Sequence, residues 1–461
     1  MRTTNPNVKT AVSTGERATD RHDYTTDKTG RDTTEDGRGD PDRILVLDAH
    51  KNASVVVART LADEGVEVTV GGWSRFSPAM LSRMVSDRFD YPSPYQHPRR
   101  FLTELESHLE RNDYLAVVPI SDLSHVLLAK HKDRLERTGT AVGVEGWQQF
   151  VAANNKKSLA VLVEDLSVPT PHTQAPEAPS EAAELRENFS YPVVIKPQYT
   201  TIQHEDGTYA EARISEENYV YDPENLVETY RGLVEKYPYF RSDPPIVQEV
   251  VPGTVEATCG VAEDGEFLEY FQEERLRMYP VDGGSSSLRQ GIRRPEMAEN
   301  ARRVVSALEW TGPIYIEFIH SPEGNCYVLE VNGRYWGSVG CAIQGGVNVP
   351  QLHYRQLKGV DQSPSQRYET GRQQRRLFYT DIRWLTAQLE SGNVGALWPF
   401  CRSFFEADHD LMSVEDPLPV AGAVFWAVQE LFRGRGPTET LPKQVPDIAA
   451  RVSGLLQEVR K

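Results

Sequence analysis

Two rhythms of apolar and polar positions alternate through the first third of the chain. Arg43-Ile44-Leu45-Val46-Leu47-Asp48 is a short apolar run without alternation, the pattern of a strand buried on both faces. Asn52 then precedes ASVVVARTLADEG, whose apolar residues recur at helical spacing and which Gly65 closes. Val66–Gly71 reads as the next strand and Tyr114–Pro119 as a later one. Strand, helix and strand in turn predict an open α/β domain over residues 42–143. No G-x-G-x-x-G follows the first strand, so a dinucleotide site is not expected there. Ligands in open sheets gather at strand ends. Candidate contacts are therefore Asp48, His50, Lys51 and Asn52 after the first strand, and Ser121-Asp122 after Val118-Pro119-Ile120. Ser121-Asp122 is equally readable as an ordinary N-cap for LSHVLLAKH.

The rhythm then changes to isolated strands. Tyr191–Pro197 is an apolar β-branched strand ending in Lys196, and Pro245–Gly253 is another, broken by Pro252-Gly253. Asn155-Lys156-Lys157 opens the helical run KSLAVLVEDL, which stops at Val168-Pro169-Thr170-Pro171. Strands flank Asp264-Gly265, at Thr258–Ala262 and Glu266–Gln272. Beyond about residue 356, Leu377–Leu389, Pro419–Phe432 and Pro446–Val459 have helix-like apolar repeats, with Asp416-Pro417-Leu418-Pro419 as a break. This predicts a helical C-terminal region over 356–461. Residues 1–41 are polar, with Tyr24 the only aromatic, and are expected to be a disordered tail. No internal repeat is visible.

The candidate chemistry centres on Ile314–Ser338, two strands joined by the turn Pro322-Glu323-Gly324-Asn325. Glu330 and Asn332 are two apart on a strand and share a face, with Glu317 roughly opposite on its neighbour. Two carboxylates on one half-buried face repel and are costly to desolvate unless a cation joins them. A hard divalent ion fits, because it takes a few carboxylates and completes its shell with water and phosphate oxygens. Lys196 at its strand end is a point charge suited to phosphate. Arg275, Arg277, Gly283–Ser287 and Arg289 together form a second candidate, an anion site for a carboxylate or its acyl phosphate; a plain surface loop is the other reading.

The ordered set Lys156, Lys196, Gln248-Glu249, Glu256, Glu317 and Glu330-x-Asn332-x-Arg334 resembles the ATP-grasp superfamily over roughly residues 42–350. With Arg334-Tyr335-Trp336-Gly337-Ser338 following, it is most similar to the carbamoyl-phosphate-synthase-like, or predicted carboligase, branch of carboxylate–amine ligases. The resemblance implies a mixed α/β and α+β architecture: a pre-ATP-grasp domain over 42–143 and an ATP-grasp domain over 144–355. The latter would divide into a small part, about 155–250, and a large part, about 251–355. It also implies roles. Lys156 and Lys196 would hold the α- and β-phosphates of ATP, with Lys157 the competitor for Lys156. Gln248 by its side chain and Glu249 by its carbonyl would meet the adenine amino group, Val251 N–H the ring, and Glu256 the ribose. Glu317, Glu330 and Asn332 would bind Mg²⁺ or Mn²⁺, with Arg334 beside the transferred phosphoryl. One departure stands out. Gln198–Thr208 replaces a glycine-rich flap with a segment holding one glycine, so either Thr200, Thr201 and Gln203 donate to phosphate or the segment is a plain hairpin.

Composition narrows the function classes. Net charge is −17, and only 12 of the 50 basic residues are lysine, which argues against a nucleic-acid or anionic-membrane surface. The balance fits a salt-rich cytosol or simply an acidic protein of arginine-rich composition. Cys259, Cys326, Cys341 and Cys401 form no CxxC pair and read as buried free thiols in a reducing, cytoplasmic setting. No stretch resembles a secretory signal or a membrane span. The expectation is an ADP-forming ligase acting on a small-molecule carboxylate and amine, with homo-oligomerisation left open. Two alternatives remain. One is a carboxyphosphate- or carbamoyl-phosphate-forming enzyme using bicarbonate, against which the single ATP-grasp unit counts. The other is a non-catalytic ATP-binding regulator.

Overall fold

The computed structural model describes residues 40–433 apart from 213, 282 and 283, with the side chains of 379 and 427–433 also left aside. All but the last two residues of the expected 1–41 tail and the amphipathic run Pro446–Val459 lie outside the described residues.

The apolar run at residue 43 becomes β1 (Arg43–Val46), the centre of a parallel sheet. It lies between β2 (Glu67–Gly72), with β3 (Asp87–Asp90) outside, and β4 (Ala116–Val118), with β5 (Ala141–Val142) outside. Burial on both faces explains the missing alternation. Asp48 ends the run at φ 62° and is fully buried. Its Oδ2 accepts from Ile120 N at 3.0 Å, Ser121 N at 2.8 Å and Ser124 Oγ at 2.5 Å. Asp48 therefore ties two strand-end loops together. Ser121 is the N-cap of the helix Asp122–Lys130, accepting from Ser124 N at 3.3 Å. His50 is sandwiched near Trp73 and Trp426, with ring centroids at 4.2 and 5.4 Å, and Asn52 donates to Asp410 at 2.9 Å.

A small antiparallel sheet follows, in the order β10-β7-β11-β6: β6 (Thr173–Gln174), β7 (Val193–Lys196), β10 (Tyr219–Val220) and β11 (Ile246–Glu249). Val193, Ile195 and Val247 pack on Leu226, Tyr230 and Leu233 of the helix Leu226–Lys236. Alternation leaves Val194, Lys196, Ile246 and Gln248 on the other face. Between these strands, β8 (Thr201–Gln203) and β9 (Tyr209–Glu211) form a hairpin turned by Gly207 at φ +83°. It docks on the first domain: Tyr209 N donates to Tyr95 O at 2.8 Å, Tyr95 Oη to Glu211 at 2.7 Å, and Lys51 lies 3.8 Å from Glu211.

The largest sheet runs β16-β15-β12-β13-β14-β17-β18. Its strands are β12 (Thr254–Glu263), β13 (Glu266–Tyr279), β14 (Ser285–Gly291), β15 (Gly312–His320), β16 (Cys326–Asn332), β17 (Gln373–Arg375) and β18 (Asp408–His409). Asp264-Gly265 turns β12 into β13 with φ 47° and 80°. One face buries Ile314, Ile316, Phe318, Val328 and Val331 under the helices Lys156–Asp165 and Pro295–Ala307. The other joins Ala257, Cys259, Val261 and Tyr315 to Ile44, Val46 and Val57 of the first domain in one continuous core. The C-terminal region is not purely helical: β17 and β18 extend this sheet, between helices such as Ile382–Glu390, Leu397–Glu406 and Leu418–Arg433. Three- and two-residue polar strands carry no alternation to read. Cys259, Cys326 and Cys341 are buried free thiols, whereas Cys401 is exposed, a correction to the sequence reading. Among the described residues, no helix is long and apolar enough to cross a membrane.

Asp416 fastens the last helix to the first domain. It is 1% exposed and accepts from Ser82 Oγ at 2.6 Å, Arg59 Nε at 2.9 Å and Arg83 N at 3.0 Å. These hydrogen bonds and the Arg59 charge outweigh burial and hold its carboxyl below the ordinary range. Asp416→Ala is expected to cost about 3–5 kcal/mol in urea unfolding, the effect of leaving buried partners unmatched. A depressed carboxyl contributes stability above its unfolded pKa and loses it as pH falls through the folded value. The gap between wild type and variant should therefore close in acid; a gap independent of pH would contradict this role.

Candidate active site

The strand pair β15–β16 sets Glu317 directly opposite Glu330, and Tyr315 opposite Asn332. The pairing skips Leu329, and this bulge keeps Glu330 and Asn332 on the Glu317 face while Val328 and Val331 stay in the core. Burial is the main cause that pushes the Glu317 carboxyl above its ordinary range; Arg275 opposes it and the Glu330 charge reinforces it. Two lysines close over this pair, Lys196 from the small sheet and Lys156 from the start of a helix. Lys156 is the first residue of its helix, capped by Asn155 Oδ1 on Ser158 N at 2.9 Å. Its Nζ lies 3.9 Å from Glu330 Oε2 and 3.4 Å from Thr200 Oγ1, whereas Lys157 is exposed. Lys196 is lowered to about 8, by burial first and by the neighbouring Lys156 second, with Glu330 and Glu317 working against the shift.

Sequence reasoning named Arg275 only as part of the candidate anion loop and missed its place beside Glu317. It ended the strand at Gln272, but β13 continues to Tyr279 and carries Arg275 onto the Glu317 face, where its guanidinium pairs with the Glu317 carboxylate. Glu273 and Arg275, two apart, were the signal. The bulge after Arg275 then turns Arg277 to the opposite face. Arg277 donates to Ser403 Oγ at 3.0 Å and Pro399 O at 2.7 Å and lies 3.4 Å from Asp381. Ser287 also donates to Asp381, at 3.0 Å. These two therefore bind the C-terminal region and not an anion, which corrects the candidate loop; Gly283 lies outside the described residues. Arg289 does remain on the Arg275 face, directly opposite it in register and 2% exposed.

Arg334 is gripped by the first domain. Its Nε and Nη2 donate to the two oxygens of Asp122 at 2.6 and 2.9 Å, so its fork is engaged with a carboxylate beside Glu330. Gln248 is buried, with Nε2 on Thr173 Oγ1 at 2.8 Å. The Glu249 side chain lies on the helix face, where it accepts from Ser190 N at 2.6 Å, so only its backbone is available to the cleft side. Val251 follows, half-buried, at the crossing to β12. Glu256 is the member the geometry does not bring in. Its neighbour Ala257 is the residue in register with Glu317. Glu256 instead points to the opposite face, 1% exposed, and pairs with Arg294 at 3.1 Å with His320 Nδ1 at 4.0 Å. The expected ribose contact is not supported.

The donor set fits a hard divalent ion: two carboxylates and one amide on one face, with an arginine standing where a cation is needed. Among the described residues, no three His, Cys, Asp or Glu side chains gather as a denser metal site. Arg275→Met should leave Glu317 and Glu330 repelling each other. The metal-free variant should melt below wild type, and Mg²⁺ should raise its melting temperature by more than it raises that of wild type. Equal responses would show that the arginine does not stand in for a cation. Lys196, being partly neutral near pH 8, should gain protons when an anionic phosphate arrives. Calorimetric titration of a non-hydrolysable ATP analogue with Mg²⁺ at about pH 8.5, in buffers of different ionisation heat, should detect proton uptake that Lys196→Arg abolishes.

No protein-family model matches the chain. It is 24% identical over 225 residues to the carbamoyl phosphate synthase large chain of Pyrobaculum aerophilum, a match covering 47% of this chain and 20% of that protein. The chain thus spans about a fifth of that relative. The structure is similar to a biotin carboxylase from Campylobacter jejuni solved with a β,γ-ATP analogue, with TM-score 0.58, 13% identity, 72% of this chain and 74% of that one covered. It is also similar to an L-amino acid ligase from Bacillus licheniformis, with TM-score 0.51, 16% identity and coverage of 69% and 74%. With the two-sheet cleft, the Glu317–Glu330–Asn332 face and these structural similarities, the chain has the ATP-grasp fold.

Proposed function

We propose that the protein is an ADP-forming ligase that activates a small carboxylate with ATP and joins it to an amine. The observation that carries this reading is the meeting of Lys196 from the small sheet and Lys156 from the start of its helix with Glu317 and Glu330 from the large sheet. Phosphoryl transfer is mostly positioning and charge neutralisation, and this cleft offers both. Bound Mg²⁺ would screen the phosphates and orient the γ-phosphoryl. Glu317, Glu330 and Asn332 would hold it. Lys156 and Lys196 would hold the α- and β-phosphates, Gln248 and the backbone of Glu249 and Val251 would meet the adenine, and Arg275, Arg289 and Arg334 would neutralise charge on the acceptor side. A carboxylate oxygen attacks the γ-phosphorus, the bond to the β–γ bridging oxygen breaks and ADP leaves. The amine nitrogen then attacks the carbonyl carbon of the acyl phosphate, phosphate departs, and the nitrogen loses a proton to solvent.

A second reading is favoured by the named relative: bicarbonate as the acceptor, giving carboxyphosphate. One screen tests both. ADP release is followed with pooled carboxylates, with and without pooled amines, and with bicarbonate alone. The ligase reading expects carboxylate-dependent ADP, and hydroxylamine should trap a hydroxamate when no amine is added. Glu330→Ala should abolish turnover while keeping, or raising, the metal-free melting temperature, since it removes one of two like charges. Release with bicarbonate alone supports the second reading. Pyrophosphate and AMP as products, or tight ATP binding without turnover on any acceptor, would overturn the ligase.

A further inference from the structure

Beside the Glu317–Arg275 contact the same sheet face carries a deeper polar group. Glu273 lies two residues before Arg275 on β13, and Arg289 faces Arg275 from β14. They are 1% and 2% exposed. Their charges act on each other: burial raises the Glu273 carboxyl, and Arg289 is foremost among the groups that oppose this. Yet among the described residues no ion pair joins them. Arg289 Nη2 is drawn to Ser286 O at 2.9 Å, and Glu273 Oε1 accepts from Ser338 Oγ at 2.5 Å. Each keeps a buried atom with no hydrogen-bond partner, Arg289 Nε and Glu273 Oε2.

Two more such atoms belong to neighbours. Gln374 is in register with Arg289 and leaves Oε1 unpartnered. Trp336 lies tilted against Tyr315, at 5.6 Å between centroids, and leaves Nε1 unpartnered. The cluster therefore holds two buried donors and two buried acceptors without partners, in opposite charges that stay apart. Desolvating both charges without forming their pair is expensive. Burying four polar atoms unpaired adds to that cost. A ligand with both a negative and a positive end removes every one of these penalties at once.

We infer that the carboxylate substrate is a zwitterion of the α-amino acid class, its ammonium taken by Glu273 and Gln374 Oε1 and its carboxylate by Arg289 and Trp336 Nε1, next to Arg275. This rests on the ligase reading for the word substrate; the polar cluster itself does not. Glu273, Trp336 and Gln374 become specificity-determining residues. The motif Arg334–Ser338 gains a reason as well: Ser338 holds the carboxylate open and Trp336 supplies a donor.

The test uses the full chain with Mg²⁺ and a non-hydrolysable ATP analogue, titrated calorimetrically with each common α-amino acid and with the matching acid lacking the amino group. At least one amino acid should bind, and its amino-free counterpart should bind about 10–100-fold more weakly, the loss of a charge-assisted contact. Glu273→Gln, close in shape, should weaken the amino acid at least about 10-fold and leave the ATP analogue unchanged. Trp336→Phe keeps the ring and should weaken the amino acid alone. Equal binding of the two acid series, no binding of any amino acid, or an unaltered Glu273→Gln overturns the inference. ADP release on the same panel separates the two claims. Release with no preference for amino acids sinks only the zwitterion. Amino-acid binding with no release on any acceptor sinks only the ligase.

Discussion

Everything in the cleft answers to one electrostatic constraint, two carboxylates facing each other across neighbouring strands. Glu317 and Glu330 are in register, so neither can turn away without breaking the ladder. Their mutual repulsion in a half-buried place must be compensated by positive charge. The fold supplies it from four directions: Lys196 from the small sheet, Lys156 from the start of its helix, Arg275 from β13, and Arg334 from beyond β16. Three of those four cations have a second tie. Lys156 sits on Thr200, Arg275 on Gly284 O at 3.2 Å, and Arg334 on Asp122. The position of the hairpin, the large sheet and the first domain are thus linked through charge as well as through the continuous apolar core.

That core is the second organising feature. Ala257, Cys259 and Val261 of the large sheet share it with Val46 and Val57 of the first domain and with Trp336 and Val339 after β16. The segment Tyr335-Trp336-Gly337-Ser338 alternates its tasks accordingly. Tyr335 Oη meets His353 Nδ1 at 3.0 Å in the core, and Ser338 reaches Glu273. Gly337 O accepts from Arg376 Nη2 at 2.6 Å, and a Cβ at residue 337 would press on the end of that side chain.

The parts that were legible in the sequence are those where period and local chemistry agree. The parallel strand at Arg43, the helix opened by Asn155 and the β15–β16 hairpin all announce themselves within a dozen residues. So does the shared face of Glu330 and Asn332. What was hidden depended on parity or on distance along the chain. Glu256 and Ala257 are adjacent, and only the β12–β15 register tells which of them looks at Glu317. The bulges near Arg275 and Leu329 shift that parity again, and no motif marks them. Arg334 and Asp122 are 212 residues apart, so a pair that neither neighbourhood hints at had to be seen in three dimensions.

That last pair has a consequence for how the molecule can be taken apart. The guanidinium of Arg334 has a two-pronged grip, and both prongs are filled by a carboxylate that belongs to the first parallel sheet's domain. The boundary between structural modules therefore does not coincide with the boundary of the cleft. A chimera that exchanged the first domain for that of a relative would carry residue 122 across, and with it one wall of the cleft. Chain recombination, natural or engineered, is constrained to move Asp122 and Arg334 together.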